Sequence, residues 1–64
     1  MNATAKPGVW TDSVKNCDLI FDTITGMITF IPQYYDRTFR KHIKDGITIQ
    51  DVIDAKDYAK KIYT

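Results

Sequence analysis

The chain has one cysteine, one histidine, one tryptophan, two prolines and three glycines in 64 residues. With Cys17 alone, no intramolecular disulfide can form, which argues against a small secreted scaffold stapled by bridges. No catalytic motif, metal-ligand cluster or phosphate-binding loop is present, and no cofactor is expected. Long apolar runs are missing too. The most apolar stretch, Leu19 to Ile31, is broken by Asp22 and Gly26 and is too short to span a bilayer. The first residues, MNATAKPG, lack the charged-then-apolar pattern of a signal peptide. Neither sign of charge dominates: nine basic and eight acidic side chains leave a net charge of +1, so there is no global pull toward nucleic acid or an anionic membrane. These absences point to a cytoplasmic protein with no membrane association, encoded by a cell or by a virus or mobile element within it.

What is present fits one small domain. Residues 1–8 read as a flexible leader ending in Pro7-Gly8, and residues 9–64 as a single folded unit. A chain of this length buries only about 60% of its unfolded surface, so a partner or a second copy would add useful stability.

Two runs, Leu19 to Asp22 and Met27 to Ile31, alternate around Thr23-Ile24-Thr25-Gly26. The pattern predicts a β-hairpin over residues 18–31. Asp22 would cap the turn amides and Gly26 would take a positive φ. In the matching register Asp22 faces Met27, Phe21 faces Ile28 and Leu19 faces Phe30, placing four large apolar side chains on one face. The other face would carry Ile20, Asp22, Met27, Thr29 and Ile31, which is more apolar than a water-facing surface usually is. Val9-Trp10-Thr11 reads as a third, N-terminal edge strand before a polar turn over Asp12 to Asn16. Trp10 would cover the edge of the core or anchor a partner.

The second half reads as two helices. Pro32 ends the strand and suits a first helical turn; Tyr35, Phe39 and Ile43 recur every four residues, and Gly46 falls where a helix would stop. The first helix is expected over 33–45. Thr48 and Asp51 form a variant capping box, with Ile47 and Val52 at the spacing of a hydrophobic staple. Asp51, Asp54 and Asp57 precede Lys60 and Lys61, matching the macrodipole. Ile49, Val52, Ala55, Ala59 and Ile62 then predict an apolar stripe on a second helix over 48–62. The expected fold is α+β: a small two-layer domain with an antiparallel hairpin packed on two C-terminal helices. Its core would comprise Leu19, Phe21, Ile28, Phe30, Phe39, Ile43, Ile49, Val52, Ala55, Ala59 and Ile62.

On a helix, Arg37, Arg40, Lys41 and Lys44 would form one basic ridge with Tyr34 at its edge. Such a ridge can grip phosphates, meet an acidic protein, or simply be solvated. The three aspartates of the second helix are accounted for by the dipole and do not converge as a hard cation requires. His42 and Cys17 have no partner at a defined spacing, so His42 reads as a packed or hydrogen-bonded residue, Cys17 as a small buried or half-buried hydrophobe, and the chain as no enzyme.

The functional expectation is a small protein–protein interaction module, an adaptor or inhibitor of a larger protein, with a homodimer also allowed. Two surfaces are candidates: the sheet face of Ile20, Met27 and Ile31 together with Trp10, and the basic set of Tyr34, Arg37, Arg40, Lys41 and Lys44. The alternative is a nucleic-acid-binding protein using that basic set.

Overall fold

The computed structural model describes residues 5–34 and 37–63. Four strands, β1 (Val9–Val14), β2 (Cys17–Asp22), β3 (Met27–Pro32) and β4 (Phe39–His42), precede one helix, α1 (Ile49–Tyr63). The strands form an antiparallel meander in the order β1-β2-β3-β4. The helix lies over β1, β2 and β3 on one side. The domain is therefore α+β and two-layered.

The β2–β3 hairpin forms in the register that alternation dictates, with Asp22 opposite Met27, Phe21 opposite Ile28 and Leu19 opposite Phe30. Asp22 Oδ1 accepts from the Ile24 and Thr25 amides at 3.0 and 3.1 Å. Gly26 sits at φ +77° and its amide donates to Asp22 O at 2.8 Å. Only glycine reaches that conformation without steric cost.

The N-terminal strand runs further than the sequence predicts. Asp12, Ser13 and Val14 belong to β1, and the turn to β2 contracts to Lys15 and Asn16. Asn16 takes φ 70°, which asparagine tolerates better than most residues. Within the expected leader over 1–8, residues 5–8 are described. Ala5 is buried and its amide donates to Ile47 O at 3.1 Å, while Gly8 exchanges hydrogen bonds with Thr23.

The expected helix over 33–45 is corrected. Gln33 and Tyr34 turn out of β3, and Phe39 to His42 form β4, paired with Met27 to Phe30. Tyr35 lies outside the described residues. The reason for a strand here is the open edge of β3, whose backbone groups need partners and whose Ile28 and Phe30 need cover. Pairing supplies both: Phe39 comes to rest opposite Phe30 with ring centroids 5.7 Å apart. Gly46 then serves a turn after the strand, at φ 94°, with its amide donating to Ile43 O at 3.2 Å.

The C-terminal helix forms as its end signals require. Thr48 N–H and Oγ1–H both donate to Asp51 Oδ2, at 2.8 and 2.9 Å, and the Asp51 amide donates back to Thr48 Oγ1 at 3.1 Å. The packed stripe is rotated from the expected one. Ala55 and Ala59 are buried, with Val52 and Tyr63 packed beside them, whereas Ile49 and Ile62 are about half exposed at 50% and 47%. Two alanines bring the helix backbone close to the sheet, so the contact line follows them and the isoleucines fall to its flanks.

The core is Leu19, Phe21, Ile28 and Phe30 under those alanines, joined by Ala5, Cys17 and Ile47. Trp10 stacks on Phe21 at 5.3 Å and seals the β1 side. Phe39 and Ile43, expected in the core, sit at its margin: Phe39 is exposed and Ile43 half-buried.

Candidate functional site

Because strand side chains alternate, burying Leu19, Phe21, Ile28 and Phe30 under α1 sends their neighbours to the opposite face. No described element covers that face. Its cross-strand rows follow from the register: Val9, Asp22, Met27 and His42; Thr11, Ile20, Thr29 and Arg40; Ser13, Asp18 and Ile31.

The face is graded in character. β1 contributes only uncharged groups, Val9, Thr11 and Ser13. β2 sets Asp18 and Asp22 on either side of Ile20, β3 supplies Met27, Thr29 and Ile31, and β4 ends the face with Arg40 and His42. Ile20, Met27 and Ile31 are half-buried by their neighbours, and Val9 is 60% exposed. A hollow of about 480 Å³ opens between β1 and β2, lined by Thr11, Ser13, Asp18, Ile20 and Ile31.

Two of the polar groups are fixed. The Thr25 amide foremost, then the Thr25 hydroxyl and the Ile24 amide, hold the Asp22 carboxyl below the usual carboxylate range. His42 Nε2–H donates to Thr25 O at 3.0 Å, which assigns the proton to that ring nitrogen. Both anchors sit on the β2–β3 turn, so the turn orients an acid and an imidazole at one end of the face.

The predicted site residues separate into different places. Ile20, Met27 and Ile31 share the open face, as expected from alternation. Trp10 does not join them: it lies opposite Phe21 on the helix side. The basic residues form no ridge, because successive residues of a strand point to opposite faces. Arg40 lies on the open face, Lys41 on the helix side, Arg37 in the approach to β4, and Lys44 in the turn after it. Tyr34 is 74% exposed in the turn after β3.

A second concavity has no counterpart among the sequence expectations. Between β4 and α1 a groove of about 450 Å³ is floored by Ile28, Phe30 and Ala55, flanked by Phe39 and Tyr58, and rimmed by Lys41, Asp51 and Asp54. Phe39 and Tyr58 each bring their ring centroids to 5.7 Å from that of Phe30. The alternation of Phe39, Lys41 and Ile43 was the signal that could have found it.

Cys17 and His42 are not brought together. Cys17 is buried on the helix side of β2, two strands from His42 and on the other face. Burial, the largest influence, raises its thiol pKa, which disfavours the thiolate. Among the described residues, no three His, Cys, Asp or Glu groups gather to hold a metal ion. No described helix is long and apolar enough to cross a membrane. Comparison with protein-family models, curated proteins and solved structures returns no match to this chain.

Proposed function

We propose that this chain is a small, non-enzymatic interaction module, an adaptor or inhibitor that docks on a larger protein through the open face of its sheet. One observation carries the reading: a four-stranded sheet with its helix on one side leaves Val9, Ile20, Met27 and Ile31 on the other with no cover among the described residues. Aliphatic side chains there supply affinity when a partner excludes water from them. Asp18 and Asp22 on one strand and Arg40 on another give the patch a direction, which favours one docking orientation.

Size bears on what the partner must do. Four strands spaced about 4.8 Å apart and about six residues long make a face of roughly 400 Å². A standard interface takes about 800 Å² from each partner. The contact therefore has to reach past the strands, where Ile24 is 80% exposed at one end of β3 and Tyr34 is 74% exposed at the other. The buried single cysteine fits a reducing compartment such as the cytoplasm.

Affinity capture from the native cell extract, with and without nuclease, tests the reading. The expected result is a protein partner retained after nuclease and lost with Ile20→Asp or Met27→Asp, both variants checked for folding by circular dichroism. Capture that needs nucleic acid, and that is lost with the Arg37→Glu, Arg40→Glu double variant, would instead establish the rival nucleic-acid reading. Capture unaffected by either pair overturns both.

A further inference from the structure

The two edges of the sheet are protected unequally. β4 is four residues long and two of them are the cations Arg40 and Lys41. A short cationic edge resists strand addition. β1 is six residues long, contains no proline, glycine or lysine, and carries one charge, Asp12, which is already paired with Lys56 at 3.0 Å. Apart from that inward-pointing aspartate, it has none of the usual devices that blunt an edge among the described residues.

The backbone groups exposed along that edge can be named. Thr23 N–H donates to Gly8 O, so the ladder's hydrogen-bonded pairs are Gly8 with Thr23, Trp10 with Phe21, Asp12 with Leu19 and Val14 with Cys17. The N–H and C=O groups of Val9, Thr11 and Ser13 therefore point away from the sheet. One of these donors has a partner: the Ser13 amide takes Asp12 Oδ1 at 2.8 Å.

We propose that β1 is the edge through which a second copy of this chain pairs, antiparallel, with Thr11 on the two-fold axis. The register follows from parity and charge. Outward-facing residues must pair with outward-facing residues, which allows axes at Trp10, Thr11 or Asp12. An axis at Asp12 sets two carboxylates side by side, which is repulsive. An axis at Trp10 overlaps the fewest residues of the two strands. The axis at Thr11 pairs Val9 with Ser13 of the second copy and overlaps most of the strand. Four main-chain hydrogen bonds result: Thr11 N–H to Thr11 O in both directions, and each Val9 N–H to the opposite Ser13 O. The Ser13 amides keep their Asp12 carboxylates, so no existing bond is displaced. The contact is isologous and closes as a dimer. It fuses two sheets into one of eight strands and places both open faces on the same side.

Sedimentation velocity over a concentration series, with amide exchange followed by NMR, tests this. The expected result is a monomer–dimer equilibrium in which exchange at Val9 and Thr11 slows as concentration rises. Thr11→Lys, which sets two ammonium groups across the axis, should weaken the dimer roughly fivefold or more while the fold is kept. A monomer at about 1 mM, the weak end of specific association, overturns the proposal. So does a dimer whose Val9 and Thr11 amides stay unprotected, a readout that needs no variant. A dimer insensitive to Thr11→Lys but broken by Ile20→Asp also overturns it, because the copies would then meet face to face.

Discussion

Replacing Gly26 with alanine measures how firmly the β2–β3 turn holds β4 in the sheet. Two separate penalties arise there. Gly26 lies at φ +77°, where an L side chain costs about 1–2 kcal/mol. An added Cβ would also stand 2.6 Å from the carbonyl oxygen of Ile43, a main-chain atom that no side-chain rotation can clear. Reaching ordinary contact needs a shift of about 0.8 Å in the chain just after β4. That same segment carries the hydrogen bond from Ile43 N–H to Gly26 O at 2.7 Å, so moving it sacrifices about 1 kcal/mol more. The expected total is about 2–3 kcal/mol. A domain of this size has roughly 3–10 kcal/mol in all.

Gly46 supplies the control. It has φ +94°, and a Cβ added there would meet nothing within 4 Å, so Gly46→Ala should show the conformational penalty alone. Urea unfolding of both variants, with the slope m checked for constancy, gives the comparison. With m near 1 kcal/mol/M for so small a protein, Gly26→Ala should lower the midpoint by about 2–3 M, and Gly46→Ala by about 1–2 M. The NMR shifts of Arg40 to Ile43 should move in the first variant and not in the second. Equal losses for the two variants would refute the argument that contact with Ile43 matters.

The helix cap and the turn carboxylate give two further expectations. Thr48→Ala removes the acceptor for the Asp51 amide and should cost about 1 kcal/mol, or about 4–8 °C in Tm. Adding Asp51→Ala to it should cost less than the two single losses together, because each residue's bond depends on the other; strict additivity in urea unfolding would contradict the reciprocal cap. Asp22, held down chiefly by the Thr25 amide, and Asp12, held down chiefly by Lys56, both have folded pKa values below their unfolded ones. Their stabilising contribution is thus present above the ordinary carboxylate range and lost as pH falls through the lowered folded values. Asp22→Asn retains an amide acceptor but cannot titrate, so its Tm should depend less on pH below about pH 4 than the parent's does. An unchanged acid dependence would mean that other carboxylates set it.

Legibility in the sequence followed how many independent signals each segment carried. The β2–β3 hairpin had alternation, an Asx-type turn start and a glycine at the bulge, and these agreed on one register. The C-terminal helix had a cap, a staple and a charge gradient in the right sense. Its packed face was harder to read, because apolar side chains occur most of the way round: Ile49, Ile53, Tyr58 and Ile62 are all about half exposed. Hydrophobicity marks which side chains can be buried, while the small Ala55 and Ala59 decide where the sheet can approach. The open face was legible as soon as the hairpin register was, since one choice of register fixes both faces. The groove beside β4 was not, because it depends on β4.

The segment from Tyr35 to Ile43 shows why a clear pattern can mislead. Tyr35, Phe39 and Ile43 are four residues apart, which is close to one helical turn and also two strand repeats, so the spacing fits both periods. The i,i+4 pairs of Asp36 with Arg40 and Lys41 with Asp45 tip the local balance to helix, yet each is worth only a few tenths of a kcal/mol. Pairing with β3 offers more, through a set of main-chain hydrogen bonds and the Phe39–Phe30 contact, and it exists only once the hairpin has formed. On this account the helical preference is still encoded locally. A peptide spanning residues 32–46 lacks β3 and is too short for a stable helix in water. In trifluoroethanol, which strengthens local helical preference, its circular dichroism should become clearly helical. The intact chain under native conditions should instead show strand-type backbone shifts over Phe39 to His42. A peptide that stays non-helical in the alcohol would show that the segment never favoured a helix, and that long-range pairing had nothing to override.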